Sequence, residues 1–305
     1  MTIKVSAPGK LMLFGEHAVV YGYPCLVTAV DKRLYVEAER ITASEDEIIA
    51  PQVKESRFVL ESLAYFKKRF KINQAVRIKT NGDFSHRVGL GSSSAVTVAT
   101  FKALGRLFGQ DLDARQIFDL SYRVNLRIQG VGSGFDIAVA TYGKTLYFVT
   151  GGKVIIPVAT RQPLDLVVGY SGVKADTPFY IRKVSEAFRH RRVQMRRIFS
   201  EIAVLVEQAR SALEKADYRR VGRLMTENQR LLAQLGVSIP KLDTMIARAL
   251  EAGALGAKLS GAGGGDCMIA LVTKTTRQAV EQAISAAGGE LIPVANHAAG
   301  VKLEP

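Results

Sequence analysis

The chain has 305 residues, 48% of them hydrophobic, enough for one large domain or two smaller ones with a sizeable core. No apolar run approaches the roughly 20 residues that span a bilayer. Met1 to Lys10 carries no apolar signal core, so a cytoplasmic protein without a membrane partner is expected. Two cysteines far apart and four unclustered histidines argue against a disulfide framework or a zinc site. The net charge of +14 reads as a solvated basic surface or as attraction for polyanionic small molecules, with no nucleic-acid partner expected.

In chain order, the first half is rich in strand-like runs: Ile3 to Ala7, Leu11 to Phe14, Leu26 to Ala29, Leu34 to Ala38 and Val76 to Thr80. Phe58 to Phe70 has helical spacing between. Ser92 to Phe108 reads as a buried helix, with Val96, Ala99, Leu104 and Leu107 at helical intervals, and Ala114 to Ile128 as another. Thr145 to Val149 and Val154 to Val158 form a hairpin pattern around Gly151-Gly152, and Leu164 to Tyr170 a further strand. From about Pro178 to Gly253 the pattern is almost wholly helical. A strand from Met268 to Val272 and a helix from Thr275 to Ala287 follow. The expectation is an α+β protein divided near residue 160, with a β-rich N-terminal part (1–160) and a helix-rich C-terminal part (161–305).

Four segments carry candidate chemistry. Gly89-Leu90-Gly91-Ser92-Ser93-Ser94 opens a helix; small residues let backbone N–H groups approach a phosphate, and the helix start favours negative charge. It lacks the Gly-Lys-Ser/Thr ending of a P-loop and the glycine spacing of a dinucleotide fingerprint. A plain helix cap is the alternative. In Ser6-Ala7-Pro8-Gly9-Lys10, a tight Pro-Gly turn between two strands would put Lys10 at a pocket edge or leave it a solvated hairpin lysine; Glu16 and His17 follow, as substrate contacts or a strand end. Asp136, after Gly132-Ser133-Gly134-Phe135, suits a general base for a hydroxyl, or a helix cap. Gly261-Ala262-Gly263-Gly264-Gly265 allows a backbone to approach a ligand, or simply makes a tight connection.

Taken together in this order, these segments resemble the GHMP kinases, the superfamily of galactokinase, homoserine kinase, mevalonate kinase and phosphomevalonate kinase. The resemblance runs from Ser6 to Gly265 and, through Gly15-Glu16-His17-Ala18-Val19-Val20-Tyr21-Gly22 and Gly256-Ala257-Lys258-Leu259-Ser260-Gly261, points to the mevalonate branch. Gly132-Ser133-Gly134-Phe135-Asp136, Asp266-Cys267 and Gly169 to Lys174 lean toward phosphomevalonate kinases, and Asn125 stands where a mevalonate kinase glutamate holds Mg²⁺.

The resemblance implies a two-domain GHMP kinase fold with the active site in the cleft between domains. It implies ATP-dependent phosphorylation of the mevalonate hydroxyl, with 5-phosphomevalonate as the alternative acceptor. Lys10 and Asp136 would be catalytic. Gly89, Leu90, Gly91, Ser92, Ser93, Ser94, Gly261, Ala262, Gly263 and Gly264 would bind ATP, and Ser93 or Ser94 would place Mg²⁺. Glu16, His17 and Ser133 would meet the acceptor, and a homodimer is an expected assembly. Rival readings are a non-catalytic binding protein of the same fold, a decarboxylase of the superfamily and a nucleic-acid-binding module.

Overall fold

The computed structural model describes residues 1–53, 56–85 and 87–305. The first strand, β1 (Thr2–Phe14), pairs antiparallel with β2 (Pro24–Arg40). Sequence patterning expects two strands in each of these segments, separated at Pro8-Gly9 and at Val30 to Arg33. Both run on unbroken, with Pro8 opposite Arg33 and Gly9 opposite Val30, so Asp31 and Lys32 form a bulge. Proline and glycine are tolerated here because the ladder is already interrupted. The backbone N–H of Lys10 donates outside the sheet, to the Leu90 carbonyl at 2.9 Å. Lys10 therefore belongs to a strand rather than to a hairpin turn.

After β3 (Glu47–Ile49) come α1 (Arg57–Phe70), β4 (Val76–Gly82), α2 (Ser92–Leu107), α3 (Ala114–Gln129), α4 (Phe135–Tyr142), β5 (Thr145–Val149) and β6 (Val154–Pro157). One end of β2 pairs with β5 and the other with β4, and β3 lies parallel to β4. Val5 and Ala7 before the irregularity at Pro8/Gly9 and Met12 after it pack into one core, and Leu11 and Leu13 into the other, so the alternation of faces along β1 changes phase between Ala7 and Leu11. The first set packs on α1 to α4, with Phe66, Phe101, Phe118 and Phe148 fully buried. Helix α3 starts on a reciprocal cap: Asp113 accepts from the Gln116 N–H while the Gln116 side chain accepts from Asp113 N–H.

The second layer begins with β7 (Leu166–Tyr170) and continues through α5 (Thr177–Ala187), α6 (Arg192–Glu214), α7 (Tyr218–Gln234), α8 (Pro240–Glu251), β8 (Gly256–Ser260), β9 (Cys267–Leu271), α9 (Arg277–Ala286) and β10 (Glu290–Leu291). Its antiparallel sheet has the order β10-β7-β9-β8. Helix α7 lies against β8 so closely that a Cβ on Gly256 would sit 1.9 Å from the Gly222 carbonyl oxygen. A second core, shared by this sheet, α6 to α9 and the Leu11/Leu13 face of β1, joins the layers. Finally β11 (Lys302–Leu303) returns to pair with β1, and the buried Arg33 guanidinium holds the Ala299 and Gly300 carbonyls. Helix makes up the larger share of the second layer and strand is prominent in the first, an α+β architecture.

Candidate active site

The largest concentration of candidate residues lines a cavity of about 490 Å³ where the two layers meet. Its first wall is made by the starts of α2 and α4. Gly89 and Gly91 both take positive φ, 72° and 79°, and Gly91 caps α2. A side chain at Gly89 would run into Asp266, its Cβ 2.5 Å from the Asp266 carboxyl carbon. The first N–H groups of α2 have no acceptors within the helix and lie beside the positive end of its dipole. Ser92 and Ser93 line the cavity with these groups. The Lys10 stem crosses Gly91, and its Nζ donates to the Gly89 carbonyl at 2.8 Å. Strand β1 thus braces the loop twice, through Lys10 N–H and Lys10 Nζ.

Asp136 sits in the first turn of α4, behind Gly134 as the capping residue, so it is not itself the cap. It faces the cavity and accepts a hydrogen bond from the Ser94 hydroxyl. Ser94, expected with Ser93 to place Mg²⁺, is 1% exposed and does not line the cavity; its hydroxyl is bonded to Asp136. The Leu90 side chain is also buried, in the core beside Leu11 and Leu13. Ser133 and Asn125 complete this wall, and the Nδ2 of Asn125 is buried without a partner.

The opposite wall brings His17, Gly261, Ala262 and Asp266 together with Lys174, Ala175, Asp176 and Thr177 at the start of α5. Asp266 fastens these segments: its carboxylate accepts from Ala175 N–H at 3.1 Å, and its own N–H donates to the Val173 carbonyl at 2.7 Å. His17 has φ of 59°, and its Nε2 hydrogen-bonds the Ala262 carbonyl at 2.8 Å. A carbonyl only accepts, so Nε2 carries the hydrogen and Nδ1 is left as a bare acceptor. That Nδ1 is buried and has no protein partner. Burial lowers the His17 pKa, only partly opposed by the Ala262 bond, which keeps the ring neutral.

Some expected residues lie elsewhere. Glu16 is 1% exposed, does not line the cavity, and forms an ion pair with Lys258, which is 0% exposed. Burial raises the Glu16 pKa and lowers that of Lys258, each opposed by the charge of the other. The pair ties the turn that follows β1 to β8. Gly263 and Gly264 also face away: a Cβ would meet the Val237 carbonyl from Gly263 and the Tyr180 ring from Gly264. In the sequence, Lys258, Asp266 and Lys174 stood only within quoted segments, without a role, and Asp176 and Thr177 were passed over. Their signal lay in Asp266 directly after a glycine run and in a lysine inside the apolar-flanked stretch Ala257-Lys258-Leu259.

The donor set suits a polyphosphate better than a metal cage. Helix N–H groups, Ser92, Ser93, Lys10 and Lys174 face the same space. Among the described residues no group of three His, Cys, Asp or Glu is arranged to hold a metal ion. Mg²⁺ commonly takes one or two carboxylates and completes its shell with phosphates and water. Asp136 and Ser93 on one wall are consistent with that sparser demand.

Family models for the GHMP kinase N-terminal domain, the GHMP kinase C-terminal region and the galactokinase galactose-binding signature match residues 57–144, 209–290 and 2–40. The mevalonate kinase of Thermococcus sibiricus is 35% identical, over 100% of this chain and 99% of its own. The chain belongs to the GHMP kinase family. It is an ATP-dependent small-molecule kinase by that membership. Among solved structures, L. major mevalonate kinase in complex with R-mevalonate superposes with a TM-score of 0.84 at 26% identity, covering 97% of this chain and 96% of that one. Streptococcus pneumoniae phosphomevalonate kinase in complex with phosphomevalonate and AMPPNP gives 0.83 at 20% identity over 97% and 99%, a likeness of fold. Among the described residues of this GHMP kinase, no helix is long and apolar enough to cross a membrane.

Proposed function

We propose that this GHMP kinase transfers the terminal phosphoryl group of ATP to the hydroxyl of mevalonate. The observation that carries the reading is the convergence of Lys10, Asp136 and the N-terminus of α2 on one cavity, which His17 also lines. The acceptor's identity draws on the full-length likeness to the Thermococcus sibiricus mevalonate kinase.

In this mechanism the Gly89 to Ser93 segment receives the phosphates through backbone N–H groups and the Ser92 and Ser93 hydroxyls. Asp136, oriented by Ser94, takes or orients the proton of the attacking hydroxyl. Lys10 neutralises charge on the phosphoryl group in flight. Ser133 and the Nδ1 of His17 meet the acceptor, with His17 accepting a hydroxyl hydrogen. Gly261 and Ala262 close the cavity beside them. Such transfer is catalysed by positioning and electrostatics, with no covalent enzyme intermediate. Mg²⁺ would be offered the Ser93 hydroxyl and the Asp136 carboxylate, and it supplies charge neutralisation on the phosphates.

A phosphorylated acceptor, 5-phosphomevalonate, is the second reading; Lys174 on the cavity wall favours it by adding a cation for a second anionic group. We further propose that the functional division falls near residue 160, that the enzyme works in the cytoplasm, and that it assembles as a homodimer, which sedimentation of the purified chain would measure. The decisive assay is ADP release with mevalonate, 5-phosphomevalonate, galactose and homoserine offered separately. Turnover with mevalonate is expected. Turnover with 5-phosphomevalonate alone would move the reading to the second acceptor, and none with any acceptor would overturn it.

A further inference from the structure

We infer that Tyr180 is a positioning residue for the acceptor: its ring, seated on Gly264, holds the cavity end of α5 against the glycine loop and so fixes the second wall of the cavity. The inference rests on the kinase reading above.

Helix α5 supplies Thr177, Pro178 and Ile181 to the cavity, and the segment before it supplies Lys174, Ala175 and Asp176. Little else anchors this helix. Val184 is its one buried residue, and most of the others are exposed. An element with so few buried side chains is held weakly by its own packing.

Tyr180 adds a hold from outside the cavity, which it does not line. Its ring lies on the backbone of Gly264, where an added Cβ would overlap the ring carbons and the hydroxyl. Gly264 has φ of 72°, and its N–H donates to the Val237 carbonyl at 2.8 Å, so the ring rests on a fixed strip of backbone. Glycine is required here twice over, by the left-handed backbone and by the ring that occupies the place of a side chain. Lys183, one turn further along α5, has its Nζ 5.2 Å from the Tyr180 ring centroid and donates to the Gly236 carbonyl at 3.1 Å.

On its cavity side the same loop presents Gly261 and Ala262, and the Ala262 carbonyl accepts from His17. The contact between Tyr180 and Gly264 therefore sets the spacing of Thr177 and Ile181 from Ala262 and His17, the wall that the kinase reading gives to the acceptor. Lys10, Asp136 and the start of α2 lie on the other wall and do not depend on it.

Steady-state kinetics in ATP and in the acceptor (mevalonate, or 5-phosphomevalonate where the wild type turns over only that), with thermal unfolding of the same preparations, test this. Tyr180→Ala should raise the acceptor KM about tenfold, because the acceptor must then order its own wall, with kcat and the ATP KM changed by less than about threefold. Tyr180→Phe keeps the ring and should stay within about twofold of the wild type. Gly264→Ala puts a methyl where the ring lies and should also raise the acceptor KM, so it serves if Tyr180→Ala does not fold. In the double variant the methyl meets no ring, and the two increases should not multiply. Unchanged acceptor KM in both single variants, increases that multiply, a phenylalanine variant as impaired as the alanine one, or a loss confined to kcat or melting temperature would each overturn the inference. A wild-type chain that releases ADP with no acceptor would instead overturn the kinase reading, and this inference with it.

Discussion

The cavity wall at Asp136 and the seam at Glu16 each pair a carboxylate with a strand-borne lysine nearby, and their settings are opposite. Asp136 stands at a helix start, open to the cavity, with Ser94 holding it and Lys10 on the adjacent strand bonded to Gly89. Glu16 and Lys258 are sealed from solvent and bonded to each other, and Lys258 also donates to the Leu259 carbonyl at 2.6 Å. A charge left accessible to a ligand is available for chemistry. A charge whose partner is another buried protein charge joins two layers, here the turn after β1 to β8, and its worth is structural. The same seam includes Ser260, whose hydroxyl accepts from Met12 N–H at 2.9 Å and donates to the Met12 carbonyl at 3.0 Å.

The largest expected effect separates the two regions by activity. Asp136→Asn should reduce kcat by roughly 10³-fold, the scale of removing a positioned general base. Its melting temperature should stay close to that of the wild type, because the residue lies on an open wall. ADP release and thermal unfolding measured on the same preparation check both halves. A variant that turns over at the wild-type rate removes Asp136 from the chemistry.

The next effect falls on stability. Lys258→Met leaves Glu16 buried without its counter-charge and should destabilise the fold by about 3–5 kcal/mol. Adding Glu16→Leu should recover most of that, since two apolar groups need no partners, and urea unfolding of the single and double variants measures the difference. If the double variant is as unstable as the single one, the seam is not the simple ion pair described. If it regains stability but its acceptor KM equals that of the wild type, Glu16 has no role in acceptor binding.

These contrasts also mark what was legible in the sequence. Helix α2 and its glycine–serine start were readable because the apolar spacing and the small residues are local signals. The cavity residues Lys10, Ser93, Asp136 and His17 stood in motifs whose local chemistry left structural alternatives open, and the family resemblance supplied their expected roles and that of Ser133. The continuity of β1 was not, because Pro8-Gly9 ordinarily ends a strand, and only the bulge in β2 accommodates it. Strand β8 was not readable either: Gly-Ala-Lys-Leu-Ser shows no strand alternation, and its lysine is buried against a carboxylate 242 residues earlier. The same distance hid the fate of Glu16. Likewise, Gly263 and Gly264 share the composition of a phosphate loop, and only their packing on Val237 and Tyr180 turns them away.

The smallest expected effect tests the histidine between the two regions, which borders Glu16 in sequence and faces the cavity. Burial holds its pKa below the ordinary value of 6.5, so the folded protein binds a proton at His17 less readily than the unfolded chain does. The unfolded state then carries more protons between the folded pKa and 6.5, and stability rises with pH across that window. This contribution is complete above 6.5, declines as pH falls, and stops changing below the folded value. His17→Gln keeps an N–H for the Ala262 carbonyl but removes the titration. The difference in unfolding free energy between wild type and variant should be flat above 6.5 and shift against the wild type below it. Urea unfolding at a series of pH values reads this directly. Parallel profiles for the two proteins would mean that His17 titrates alike in both states, and its neutral, hydroxyl-accepting role would lose its basis.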